Sequence, residues 1–178
     1  MAHAGCVDLE ARRPAVIVMG VSGAGKSTVG QLLADRLGAV FVDADDLHTA
    51  EHIAKMATGS PLTDEDREPW LRRVAETVAN APGSIVVACS ALRRAYRDLL
   101  RSQAARPLAF VHLDAPSEIL AGRLDHRRGH FMPAGLLESQ LATLEPLDDD
   151  EPGIVVDVTH DPAAIVDQVS AWLGRTAF

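Results

Sequence analysis

Short apolar runs alternate along the chain with longer stretches in which apolar residues recur every three or four positions. Residues 15–19, 39–42, 84–88, 108–113 and 154–158 are brief, apolar and mostly rich in β-branched side chains, the pattern of strands buried on both faces. Between the first two, residues 26–37 set Val29, Leu32, Leu33 and Leu37 at helical spacing, and Gly38 supplies a stop. Residues 69–80 gather Trp70, Leu71, Val74 and Val78 on one side, with Pro69 suited to a first helical turn. Residues 93–102, 117–128, 134–143 and 162–173 read as further helices, and a short one begins near Thr49. This alternation predicts an α/β fold of three layers, a central five-stranded parallel sheet with helices on both faces. Ligands in such sheets bind at the carboxyl ends of the strands, so functional residues are expected just after each apolar run.

Composition narrows the picture without redirecting it. The 178 residues suffice for one sizeable core and are too few for two ordinary domains. No repeat or linker divides them, so residues 14–178 read as one domain and residues 1–13 as a loose tail. Seventeen basic against 25 acidic side chains give a net charge of −8. That balance argues against a nucleic-acid partner, which needs a basic face. It leaves room for arginines concentrated in one cleft. Cys6 and Cys89 form neither a metal motif nor a disulfide framework. No apolar run approaches the length of a membrane span, and the first 13 residues lack a signal-peptide core. The chain reads as cytoplasmic, with no membrane partner.

The chemistry begins after the first strand. Gly20, Val21, Ser22, Gly23, Ala24, Gly25, Lys26 and Ser27 match G-x-x-x-x-G-K-[ST] at every fixed position, between an apolar strand and an amphipathic helix. Glycines let successive backbone N–H groups curl around phosphate oxygens, and the helix that follows offers its N-terminal dipole to the same anion. Lys26 is expected to reach the β- and γ-phosphates of a nucleotide, and Ser27 to hold Mg²⁺. With Thr28 of the first helical turn, these residues form the expected nucleotide site. The motif announces a nucleotide and not a reaction.

Asp43, Asp45 and Asp46 follow the second strand. Two apart in an extended chain, Asp43 and Asp45 point the same way. One suits the Mg²⁺ shell and the other the proton of an attacking hydroxyl. Asp46 suits a helix cap. His48 and His52 lie a helical step apart with no third ligand for zinc, and His48 gains interest only beside Asp45. Arginines cluster at Arg67, at Arg93, Arg94 and Arg97, and at Arg123, Arg127 and Arg128. Arg123 and Arg127 share a helical face ahead of Gly129-His130, which suggests a lid over the phosphates, around residues 121–133. For each arginine the plain alternative is a solvated helix face with local ion pairs.

Several stretches together resemble the gluconokinase family of P-loop carbohydrate kinases. They are Met19 to Thr28, Asp43-Ala44-Asp45-Asp46-Leu47-His48, Ile53-Ala54-Lys55-Met56, Gly59 to Arg67 with Pro69-Trp70-Leu71, Cys89-Ser90-Ala91-Leu92-Arg93 with Tyr96-Arg97-Asp98, and Gly129-His130-Phe131-Met132-Pro133 with Leu136 to Gln140. The resemblance implies a P-loop kinase fold with a mobile lid, and transfer of phosphate from ATP to the 6-hydroxyl of gluconate, giving 6-phosphogluconate and ADP. It implies that Asp45 activates the acceptor hydroxyl, that His48, Arg67 and Arg97 bind gluconate, and that Arg123 and Arg127 touch nucleotide phosphates from the lid, Arg127 as a catalytic group. A homodimer is likewise a family-level expectation. The family's Asp-Gly-Asp is here Asp43-Ala44-Asp45, and alanine does not take up glycine's positive-φ conformations cheaply.

Two enzyme alternatives share the loop. Shikimate kinases resemble the chain in general plan but carry a glycine triplet where this one has Ala88-Cys89-Ser90-Ala91. Nucleoside monophosphate kinases need a phosphate acceptor, which an acidic pair suits poorly. A nucleotide-dependent switch would need no acceptor site at all, leaving the acidic pair, Arg67 and Arg97 as surface features.

Overall fold

The computed structural model describes residues 15–125 and 134–176. Five strands, β1 (Ala15–Met19), β2 (Val40–Asp43), β3 (Ile85–Ala88), β4 (Leu108–Asp114) and β5 (Gly153–Asp157), pair in parallel in the order β2-β3-β1-β4-β5. Helices α1 (Lys26–Leu37), α2 (Ala50–Ala57), α3 (Asp64–Ala79), α4 (Arg94–Gln103), α5 (Ser117–Asp125), α6 (Ala134–Thr143) and α7 (Pro162–Leu173) connect or follow them, and a 3-10 turn, Ala44–Leu47, leaves β2. None of the described helices is long and apolar enough to cross a membrane.

Period-two alternation in β1 builds two cores. Ala15, Ile17 and Met19 pack with Trp70, Leu71, Val74 and Val78 of α3 and Tyr96 and Leu100 of α4. Val16 and Val18 pack on the other face with Val29 and Leu33 of α1 and Ile165, Val166 and Val169 of α7. All five β1 residues are buried, as a strand covered by helices on both sides requires. β1 sits between β3 and β4, with Ile17 opposite Val87 on one side and Phe110 on the other. Its exit, the phosphate loop, is thereby centred on the carboxyl edge of the sheet.

Helices α1, α6 and α7 have the expected bounds, and the strands shift by a residue at most ends. α3 differs more. It starts at Asp64 rather than Pro69, because Thr63 accepts from Asp66 N–H while the Asp66 carboxylate accepts from Thr63 N–H. This reciprocal cap satisfies two orphan donors of the first turn and places Pro69 in the second turn. Asp66 also takes the Lys55 ammonium at 2.6 Å. Lys55 and the Thr63 N–H together hold its carboxyl down to about 2.

Arg97, expected at the acceptor, is instead a buried structural clamp. Its side chain has 0% exposure and meets Glu151, also at 0%, through two hydrogen bonds of 2.6 and 2.7 Å. The remaining donors go to carbonyls of Ala91, Leu92, Glu145 and Pro146. Burial alone would raise the Glu151 carboxyl. Arg97 and the Asp148 N–H overcome that and leave it below its ordinary value. Arg94 likewise serves the same acidic loop, bonding Asp148 and both oxygens of Asp150. Removing one partner of a buried pair strands the other charge. Arg97→Ala is therefore expected to lower stability by about 3–5 kcal/mol in denaturant titration, with Arg97→Lys recovering only part because an ammonium lacks the fork.

Candidate functional site

The phosphate loop depends on glycine at its two ends. Gly20 has φ 138°, and a Cβ there would lie 2.8 Å from the Leu113 carbonyl oxygen, so neither the backbone angle nor the space admits a side chain. Gly25, at φ 95°, stands just before α1 and turns the chain into the helix. Between them Val21 and Ala24 are buried anchors, while Ser22, Gly23, Lys26 and Ser27 are half-buried and Thr28 is exposed. The loop is braced from β3, where Gly20 N–H donates to the Ser90 carbonyl at 3.3 Å.

A cleft of about 400 Å³ opens beside this loop. Ser22 and Lys26 line it on the loop side, Asp45 and His48 on the β2 exit, and Arg67 and Trp70 on α3. Ile53 and Met56 of α2, Ser90 and Leu92 after β3, and Ser139, Gln140 and Thr143 of α6 also line it. Lys26 Nζ donates to the Val21 carbonyl at 3.0 Å, folded back over the loop. Ser22 N–H, one of the loop amides, donates to Gln140 Oε1 at 2.7 Å. A carboxamide oxygen from α6 thus occupies one backbone donor of the loop.

Asp43 and Asp45 are brought to the site but divide their work. The chain leaves the extended conformation at Ala44, so the two carboxylates do not point the same way as an extended chain would have them. Asp43 Oδ2 accepts from Ser27 Oγ at 2.6 Å, and its Oδ1 accepts from Asp45 N–H at 3.1 Å, capping the 3-10 turn. Asp45 reaches the cleft. Ala44 is fully buried, its φ is not positive, and its carbonyl accepts from Trp70 Nε1 at 2.7 Å. Glycine's freedom is not needed there. The cap expected of Asp46 belongs to Thr49, whose hydroxyl accepts from His52 N–H at the start of α2.

A hydroxyl and a carboxylate beside phosphate-binding amides are hard oxygen donors suited to Mg²⁺, which keeps several waters and phosphate oxygens in its shell. Among the described residues no cluster of three or more His, Cys, Asp or Glu could hold a metal by itself.

His48 stacks on Trp70 with ring centroids 4.4 Å apart and meets His52 edge-on at 5.6 Å. Burial pushes its imidazole down to about 4, and the charges of His52, Arg67 and Arg73 act in the same direction. His48 is therefore neutral at neutral pH, and its buried Nδ1 has no partner among the described residues. Cys89, just behind the loop, is buried, and burial pushes its thiol up to about 12. It is no nucleophile.

Of the remaining expected residues, Arg67 lines the cleft and Arg97 does not. Arg123 donates to the Val158 carbonyl at 2.6 Å, beyond the end of β5. That bond ties α5 to the sheet edge and does not place the guanidinium in the cleft. Arg127, with most of the expected lid and the His130-Phe131-Met132-Pro133 stretch, lies outside the described residues. Gln140 and Trp70 carry contacts to which no role was assigned from the sequence. Ser139, Gln140 and Thr143, polar residues at helical spacing next to Glu138 in α6, were the available signal.

A family model for the AAA domain matches residues 16–147. A gluconokinase of Gluconobacter oxydans (strain 621H) is 49% identical over 158 residues, covering 86% of this chain and 88% of its own. The thermosensitive gluconokinase of Escherichia coli (strain K12) is 45% identical over 158 residues, covering 85% and 83%. The crystal structure of a gluconokinase from Sinorhizobium meliloti 1021 superposes with a TM-score of 0.85 at 47% identity, covering 93% of this chain and 94% of that one.

The Gln140 contact and the buried His48 each give a measurable outcome. Gln140→Ala is expected to bind ADP about two- to tenfold more tightly by calorimetry, because it frees one loop N–H for phosphate, and to leave adenosine binding unchanged. For His48, the unfolded chain takes up a proton below the ordinary value of 6.5 while the folded one resists until about 4. Its neutral form penalises the native state increasingly as pH falls through that window. Thermal melts should show the stability of wild type relative to His48→Gln falling from pH 6.5 to 4 and level above it.

Proposed function

Since the chain belongs to the gluconokinase family, we propose that it transfers the γ-phosphate of ATP to the 6-hydroxyl of gluconate, giving 6-phosphogluconate and ADP. The observation that carries this reading is one cleft that holds the phosphate loop, the Asp45 carboxylate and Arg67 together. Gluconate is a chain with a carboxylate at one end and a primary hydroxyl at the other. Arg67 suits the first, because its planar fork matches a carboxylate, and Asp45 suits the second. The neutral His48, which lines the same cleft, suits a hydroxyl between them and contributes no charge.

The loop amides and Lys26 cradle the phosphates of ATP and hold the γ-phosphoryl group in line with the acceptor. Asp45 accepts the proton of the 6-hydroxyl as its oxygen bonds to the γ-phosphorus, and the bond from that phosphorus to the β–γ bridging oxygen breaks to leave ADP. Lys26 stabilises charge on the transferring group. Ser27 and Asp43 would hold Mg²⁺, which supplies charge neutralisation across the β- and γ-phosphates when bound. Their 2.6 Å hydrogen bond already brings both oxygens together at the loop. The apolar wall of Ile53, Met56 and Leu92 limits water around the reacting atoms. A buried, free Cys89 suits a reducing, cytoplasmic setting.

A coupled ADP-release assay tests the assignment directly. ADP is expected to form with gluconate and not with shikimate or nucleoside monophosphates, and absence of any gluconate-dependent signal would overturn it. In the same assay Asp45→Asn is expected to lose about a hundredfold or more in kcat while retaining ATP affinity by calorimetry. Lys26→Ala should lose roughly as much turnover, because it removes the charge aimed at the transferring phosphoryl.

A further inference from the structure

Arg67 does not stand in the cleft unaided. Its Nη1 donates to the Tyr96 hydroxyl at 3.2 Å, and its guanidinium carbon lies 5.7 Å from the centroid of the Tyr96 ring. The same hydroxyl donates to Asp64 Oδ1, and Asp64 Oδ1 lies 3.7 Å from Arg67 Nη1. Arg93 closes the arrangement, donating to Asp64 Oδ2 at 2.6 Å with its own guanidinium carbon 5.9 Å from the ring centroid. One phenol is thus flanked by two guanidiniums, and one carboxylate ties all three side chains together.

The arrangement occupies only one corner of Arg67. Among the described residues, Nε and Nη2 donate to no protein acceptor, and these two nitrogens form the side of the fork that grips a carboxylate in parallel. A free arginine carries much rotamer freedom, and ordering it on binding weakens the bond it makes. Here the ordering is done beforehand. Arg67 is 23% exposed, although Asp64 behind it is 53% exposed. Burial and the Asp64 acceptor raise the Tyr96 hydroxyl above its ordinary value, so it remains a donor to Asp64 and an acceptor from Arg67 through the neutral range. The supports come from two helices: Arg67 and Asp64 from α3, Tyr96 from α4, with Arg93 as the residue before α4.

We propose that Tyr96, backed by Asp64 and Arg93, is the positioning residue that fixes Arg67 for the carboxylate of the acceptor, so that these three side chains, which do not line the cleft, set its preference for sugar acids over neutral polyols. This rests on the reading that Arg67 receives the gluconate carboxylate. None of the three need touch the substrate.

The test compares steady-state kinetics of wild type, Tyr96→Phe, Asp64→Asn and Arg67→Gln on gluconate and on sorbitol, which has a primary hydroxyl and no carboxylate. Tyr96→Phe keeps the ring and loses only the hydroxyl. It is expected to raise KM for gluconate about two- to tenfold, the worth of one hydrogen bond, with kcat and the KM for ATP within about twofold of wild type. Asp64→Asn, at an exposed position that does not endanger folding, is expected to shift gluconate KM in the same direction. Neither variant should alter the residual rate on sorbitol. If Arg67→Gln raises gluconate KM while Tyr96→Phe and Asp64→Asn leave it unchanged, the positioning role is wrong and the carboxylate reading stands. If Arg67→Gln leaves gluconate KM unchanged, the carboxylate reading itself is wrong. A uniform fall of activity on gluconate and sorbitol, with a lowered Tm in Tyr96→Phe, would mark Tyr96 as a packing residue only and overturn the proposal.

Discussion

The site depends on one constraint, the position of β1 in the middle of an all-parallel sheet. Each of its residues is buried between helices, and its neighbours β3 and β4 hold it in register on both sides. Parallel strands end on a common edge, so the segments leaving β1, β2 and β3 emerge side by side. Gly20 packs against the Leu113 carbonyl at the end of β4 and bonds Ser90 after β3. Asp43 closes β2 within hydrogen-bond reach of Ser27. Phosphate loop, carboxylates and the Ser90–Leu92 wall of the cleft are therefore neighbours because three strands stop together, although they lie far apart in the chain.

An acidic protein meets anionic ligands by placing its arginines selectively. Arg94 and Arg97 neutralise the acidic loop that ends in Glu151, Arg36 pairs with Asp167, and Arg72 pairs with Glu68. Among the described residues, the cations that line the cleft are Lys26 and Arg67. The excess of carboxylates elsewhere leaves the positive potential local, at the two places where a phosphate and a sugar acid would meet.

Much of this was legible in the chain. Apolar period and length gave the strands within a residue or two, and the phosphate loop was unmistakable because every fixed position stood between a strand and a helix. Asp43 and Asp45 were legible as candidates from their place after β2, though not their different contacts, since the 3-10 turn that parts them is capped by Asp43 itself and held by a Trp70 hydrogen bond from 26 residues away. Arg97 was misread for a related reason. The resemblance placed it at the acceptor, while the partner that buries it, Glu151, lies 54 residues further on. The start of α3 was misplaced because Pro69 outweighed Thr63 and Asp66, whose spacing is itself a start signal. Gln140 was legible only as one of several polar residues of α6, because its contact crosses 118 residues to the phosphate loop.

Trp70 forms part of the cleft wall, stacked on His48 and hydrogen-bonded to the backbone beside Asp45. The second of the two tryptophans in the chain, Trp172, lies on α7, the helix that packs on the opposite face of the sheet. The protein therefore carries one indole whose optical environment belongs to the cleft and another on the far side of the sheet. Anything that enters the cleft changes the surroundings of one of the two ultraviolet emitters, with no label added.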